Sequence, residues 1–153
     1  LSVARTRVAT IACRDDDVVS DTCAGTAATD VVSAPVRLSE AFIPHLKAGR
    51  RRLTVPITSL MGSIFDNTSG GAILYRSSKA ALNAAMKSLS IDLRPHGIGV
   101  LILHPGWVQT DMGGPRAPTT PDRSVSAMRR LIDGYTPARS GQFLNIHGEI
   151  QPW

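Results

Sequence analysis

Aromatic residues make up only 5% of this 153-residue sequence, and cysteine occurs twice. None of the aromatics interleaves with the densest basic run, Arg50-Arg51-Arg52, as a base-stacking surface requires. That run therefore reads as a solvated loop, and no nucleic-acid partner is expected. Cys13 and Cys23 have neither metal-ligand nor redox spacing. A bridge between them is open, but free or buried thiols of a cytoplasmic protein are the preferred reading, and no metal site is expected. No apolar run is long enough to span a bilayer, so no membrane partner is expected either. A Gly-rich strand-to-helix turn is also lacking: Gly25 stands alone and Gly70-Gly71 falls elsewhere. Without such glycines, backbone N–H groups and a helix N-terminus cannot close on a phosphate. The first residue is Leu, which points to a truncated or processed start. Arg5, Arg7 and Arg14 would suit a targeting peptide, but Asp15-Asp16-Asp17 and the lack of an apolar core segment argue against one.

What is present is ordinary for one globular domain: 42% hydrophobic and 19% charged residues, with a net charge of +5. The order of elements is more informative. Leu53 to Ile57 reads as a short strand. From Tyr75 to Leu93, apolar residues recur with helical period until Arg94-Pro95-His96-Gly97 stops them. Ile98 to Leu103 reads as a buried strand. Strand, helix and strand make a βαβ unit, whose two strands should be parallel neighbours of an α/β fold. An earlier helix is expected near Val36 to Lys47, with Pro35 in its first turn and Pro44 kinking or ending it. Pro56 should remove a ladder bond from the first strand. Pro115 to Pro121 reads as a flexible flap. A helix follows from Thr120 to about Asp133, stopped by Gly134, and Gln142 to Ile146 reads as a last strand. Trp153 either packs across a dimer interface or covers its own sheet edge. Residues 1 to 30 are poorly readable, beyond a possible strand at Val8 to Ala12.

The chemistry gathers between Ser59 and Lys79. Tyr75 and Lys79 are four residues apart, which puts both on one helix face, about 6 Å apart along the axis. A cation beside a phenol favours the phenolate, and such a tyrosine can give and take a proton. A bare Tyr-x-x-x-Lys pair is common on helix surfaces. Here, however, the pair opens the helix just beyond a strand end, and ligands of open parallel sheets bind beyond the carboxyl ends of the strands. Ser59 and Pro105-Gly106 lie at two such ends. Ser59 is preferred to Ser63 for the hydroxyl role, because Gly62 follows it by three. His104 can be taken for a base, but reads more simply as a strand-end residue.

Ser59-Leu-Met-Gly-Ser-Ile64, Tyr75-Arg-Ser-Ser-Lys-Ala-Ala-Leu-Asn83 and Pro105-Gly-Trp-Val-Gln-Thr-Asp-Met-Gly-Gly114 resemble the short-chain dehydrogenase/reductase family. Asp66 to Gly71 and the close, Ser140 to Trp153, narrow the resemblance to its C-factor and sniffer-type carbonyl reductase branch. The resemblance covers roughly residues 35 to 153. It implies a Rossmann-like three-layer fold with a mostly parallel sheet, incomplete at its N-terminal half, as a single partial domain over 1–153. It also implies NAD or NADP, with NADP slightly preferred, a small carbonyl or alcohol substrate, and possible homo-oligomers. Tyr75 would exchange the proton with the carbonyl oxygen, Lys79 would hold the nicotinamide ribose, and Ser59 would position the carbonyl. Pro105 and Gly106 would let the backbone approach the nicotinamide, with Val108 and Thr110 along its carboxamide. Arg14 would meet the 2′-phosphate of NADP. The family's relay asparagine would fall at Val31, so it is expected to be lost. A partial homologue without cofactor binding, acting by association or signalling, is the competing expectation.

Overall fold

The computed structural model describes residues 21–153. The readings placed on Val8 to Ala12, Cys13 and Arg14 lie outside the described residues. Helix α1 spans Asp21–Ala48 and contains both Pro35 and Pro44. The expected start near Val36, the first-turn role of Pro35 and the early end at Pro44 are therefore corrected. Within the poorly readable residues 1 to 30, helix is already present from Asp21. An interior proline removes a backbone bond and crowds the preceding turn. The helix persists because Val31, Val32, Val36, Ile43 and Leu46 pack against the core, and packing of an apolar face supplies most helical stability in a folded protein. Val31, the expected relay position, is thus a packing residue.

Strand β1 (Leu53–Thr54) pairs in parallel with β2 (Gly99–Val100). Strand β3 (Ile102–Leu103) pairs in parallel with β4 (Phe143–Leu144). β2 and β3 are consecutive pieces of one extended stretch, so 98–104 lies between two neighbours. Its amides alternate sides: Leu101 and Leu103 donate to Thr54 and Pro56, while Ile102 and His104 donate to Gln142 and Leu144. The rung that Pro56 cannot supply is the one toward Leu101. The ladder resumes beyond it, where Thr58 N–H donates to the Leu103 carbonyl at 2.8 Å. The proline therefore deletes one bond without ending the strand.

Side-chain alternation along 98–104 builds both cores. Ile98, Val100 and Ile102 join Leu82 and Met86 of helix α2 (Ile73–Asp92) and Phe143. Leu101 and Leu103 face the other way, with Leu144, and meet Met128, Leu131 and Ile132 of helix α3 (Pro121–Asp133). Helices α1 and α2 cover one face and α3 the other, giving three layers around a parallel sheet, as expected. α3 begins as its sequence reads: Thr120 caps it by accepting from Arg123 N–H, and Pro121 occupies the first turn. Pro115 to Thr119 is not a free flap. Val108 and Thr119 form a parallel bridge, and Gln109 Nε2 donates to the Ala117 carbonyl at 2.8 Å. Trp153 packs on its own sheet. Its ring stacks on Phe143 of its own sheet, with centroids 5.7 Å apart, and its carbonyl accepts from Phe65 N–H at 2.9 Å.

Candidate active site

Ser59 follows the first strand and caps a single 3₁₀ turn, Leu60–Gly62, its Oγ accepting from Met61 N–H at 3.2 Å. That turn presses against α2. A Cβ added to Gly62 would lie 2.7 Å from the Lys79 carbonyl carbon, so only glycine lets the turn approach the helix this closely. The glycine three residues after Ser59 is therefore the contact that brings strand end and helix together. Ser63 is buried, and its hydroxyl accepts from Asp66 N–H at 3.1 Å, closing the following loop.

The loop before α2 turns sharply. Gly70, Gly71 and Ala72 have φ of 65°, 68° and 43°, three left-handed residues in a row. For alanine this conformation costs roughly 1–2 kcal/mol. Arg76, on the first turn of α2, holds the loop by donating to the Gly70 carbonyl and Ser69 Oγ. The helix opened in this way carries Tyr75 and Lys79 on one face, with Lys79 Nζ 5.6 Å from the Tyr75 ring centroid. Lys79 is half-buried, and burial holds its ammonium below its ordinary pKa. Its Nζ makes no hydrogen bond among the described residues.

Pro105 and Gly106 end the neighbouring strand, Gly106 with φ 83°. Their position depends on a residue the sequence did not mark. Ser124, buried in the first turn of α3, donates its hydroxyl to the Pro105 carbonyl at 2.7 Å. Val108 lies in the bridge to Thr119, and Thr110 closes its own turn, accepting from Gly113 N–H at 3.1 Å. Ser59, Tyr75 and Lys79 thus share one end of the sheet with Pro105 and Gly106, and Val108 and Thr110 continue from it. His104 is largely buried, its Nδ1 has no partner among the described residues, and desolvation holds its pKa below the ordinary value.

A family model described as short chain dehydrogenase matches residues 19–121. The chain belongs to the short chain dehydrogenase family. The C-signal protein of Myxococcus xanthus is 51% identical over 119 residues, covering 78% of this chain and 72% of that one. The solved carbonyl reductase Sniffer of D. melanogaster superposes with a TM-score of 0.87 at 34% identity, covering 95% of this chain and 64% of that one. NADPH-bound carbonyl reductase from chicken fatty liver gives a TM-score of 0.80 at 37% identity, over 92% and 62% of the two chains. These similarities put this short-chain dehydrogenase in the C-factor and sniffer branch. They also mean that the chain spans a little under two thirds of the two solved reductases. No helix among the described residues is long and apolar enough to cross a membrane.

Proposed function

We propose that this chain carries the proton-transferring part of an NAD(P)-dependent oxidoreductase that interconverts carbonyl and alcohol groups. The observation that carries this reading is the convergence of Tyr75, Lys79 and Ser59 at the carboxyl end of a parallel sheet, with Lys79 Nζ 5.6 Å from the Tyr75 ring. The Tyr75 hydroxyl gives its proton to the substrate oxygen in reduction and takes it back in oxidation. Ser59 Oγ, free to donate while it accepts from Met61, hydrogen-bonds the same oxygen. Donors aimed where charge develops in the transition state contribute most to such a step. Lys79 holds a positive charge next to the phenol.

The residues present fit the nicotinamide end of a dinucleotide. A half-buried ammonium without a hydrogen-bond acceptor among the described residues suits ribose hydroxyls. The strand-end pair Pro105-Gly106 leaves backbone open to a planar ring, with Val108 and Thr110 beyond it. The nicotinamide, when bound, supplies or accepts the hydride. NADP is favoured slightly over NAD, in keeping with the NADPH-bound relative. The substrate is a small carbonyl or alcohol. Ile64, Phe65, Trp107 and Met112, all exposed, give an apolar rim on the loops after Gly62 and Gly106. The same reading places the protein in the cytoplasm and leaves room for a homo-oligomer.

A second reading is favoured by the 51% identity to C-signal together with the lack of a Gly-rich phosphate cradle. In it, the chain keeps the catalytic helix but acts by association or signalling. Fluorescence titration with NADPH and NADH separates the two. Saturable binding that is lost in Lys79→Ala, with turnover of a carbonyl probe, is the outcome expected of the oxidoreductase. No binding of either nucleotide refutes that activity for this chain and leaves the second reading.

A further inference from the structure

Among the described residues, the buried side-chain atoms without a hydrogen-bond partner are four: Thr58 Oγ1, Asn83 Oδ1, Asn83 Nδ2 and His104 Nδ1. They are not scattered. The bridge between Ile57 and Leu103 sets Thr58 beside His104 on adjacent strands. Alternation sends both toward the α2 face: Val100 and Ile102 already point there, and Thr54 on the first strand meets Ser39 of α1. Asn83, 2% exposed, lies on α2 between two levels of packing. Lys79, one turn before it, meets Gly62 beyond the strand end, and Met86, one turn after, meets the core of Val100 and Ile102. The intermediate level is that of Thr58 and His104. Helical side chains lean toward the helix N-terminus, so the Asn83 amide leans toward the turn that carries Lys79.

Leaving one buried polar atom unpaired is costly, and four at one level of one interface would compound that cost. An amide offers donors and an acceptor, a hydroxyl offers both, and an imidazole nitrogen offers either. That set matches the two to four polar partners that internal water takes. We propose that Thr58, Asn83 and His104 form a seat for internal water directly beneath the Tyr75–Lys79 pair, through which Asn83 positions the Lys79 ammonium. Asn83 is then a positioning residue, one helical turn from the lysine it serves. Only the purpose of the seat rests on the oxidoreductase reading; its hydration and its link to Lys79 do not.

The test uses the full chain labelled with ¹⁵N-lysine. The sequence has only three lysines, Lys47, Lys79 and Lys87, so their side-chain signals are few. A Lys79→Arg variant identifies the signal of interest. Water-to-protein magnetisation transfer, or a crystal structure at high resolution, should locate water within hydrogen-bond distance of at least two of the three residues. Asn83→Leu and Thr58→Val should each move the Lys79 signal while leaving that of Lys87, on the same helix, in place. Each should also lower the thermal midpoint, by about 2–4 °C for a loss near 1 kcal/mol. A dry seat in the unsubstituted protein overturns the proposal, whatever the variants do. So do variants that melt at the same or a higher temperature with the Lys79 signal unmoved. If Asn83→Leu does not fold, Thr58→Val and the unsubstituted protein decide. Failure to bind NADPH with the water and the Lys79 coupling intact would sink the oxidoreductase reading alone.

Discussion

The two ends of this sheet are built to different standards. At the amino end, the chain meets its own needs. Helix α1 carries His45 and Lys47 in its last turn, where positive charge suits the helix dipole, and Gly49 N–H donates to the His45 and Leu46 carbonyls. Gly97 and Gly134 close the turns after α2 and α3 by donating to the Arg94 and Arg130 carbonyls. Arg51 pairs with Asp133 at 2.7 Å. The basic run that a nucleic-acid reading would single out belongs to this end, beside the helix C-termini. At the carboxyl end, the same chain leaves needs unmet. Ala72 sits in the left-handed region, and among the described residues four buried polar atoms lack partners and half-buried Lys79 makes no hydrogen bond. Phe65 is 82% exposed and Ile64 79%. Strain, unpaired polar groups and bare apolar surface on one edge mark where a chain gives up stability for a task.

The largest effect that would sharpen this contrast lies in Tyr75→Phe. If the Tyr75 hydroxyl transfers the proton as proposed, its removal should lower turnover of a carbonyl probe by about 10²–10⁴-fold. The variant's unfolding free energy from urea titration should stay within about 0.5 kcal/mol of the parent, as for substitutions away from the core. A variant that keeps its turnover breaks the assignment of Tyr75. Next is Gly62→Ala. The new methyl would meet the Lys79 backbone, so chemical denaturation should show a loss of about 1–3 kcal/mol, as overpacking does. A neutral result would mean that turn and helix are not held as closely as the contact implies.

The third test is a pH dependence. Burial lowers the His104 pKa below the ordinary 6.5, so in the window beneath 6.5 the unfolded chain binds more protons than the folded one. Stability therefore rises with pH through that window. The contribution is fully present above 6.5 and is lost as pH falls toward the lowered folded value. His104→Asn should flatten this slope in urea midpoints measured between pH 5 and 8 (a range set by the usual histidine window). An unchanged slope would remove His104 from the unmet groups. The smallest effect belongs to the other end. Arg51→Ala breaks an exposed ion pair and should cost only about 0.2–1 kcal/mol, with turnover unchanged. A large loss of activity there would erase the distinction between the two edges.

Much of this was legible in the sequence, and the parts that were not share a cause. The stripe from Tyr75 to Leu93, the apolar run 98–103 and the Thr120-Pro121 start of α3 are local signals, and the structure follows them. Pro35 and Pro44 are also local signals, and they misled. Their penalty is outweighed by contacts of Val31, Val36 and Ile43 with residues far along the chain, which no local rule registers. The spacing of Tyr75 and Lys79 was legible because a helix alone converts it into proximity. The bond from Ser124 to Pro105 and the burial of Thr58 and Asn83 depend on how the layers dock, and pattern along the chain carries no trace of them. The glycine after Ser59 stood between these cases: its place was plain, but its reason, the Lys79 backbone, appeared only in three dimensions.

The alternation along 98–104 has one more consequence. Six successive amides, Gly99 to His104, are all engaged: three toward Arg52, Thr54 and Pro56, and three toward Ser140, Gln142 and Leu144. Side chains from 100 to 103 have no exposure at all. Protium on these nitrogens escapes only when two ladders and both helical layers come apart together. In heavy water this stretch would be the molecule's slowest clock, still unlabelled long after the loops around Tyr75 had exchanged.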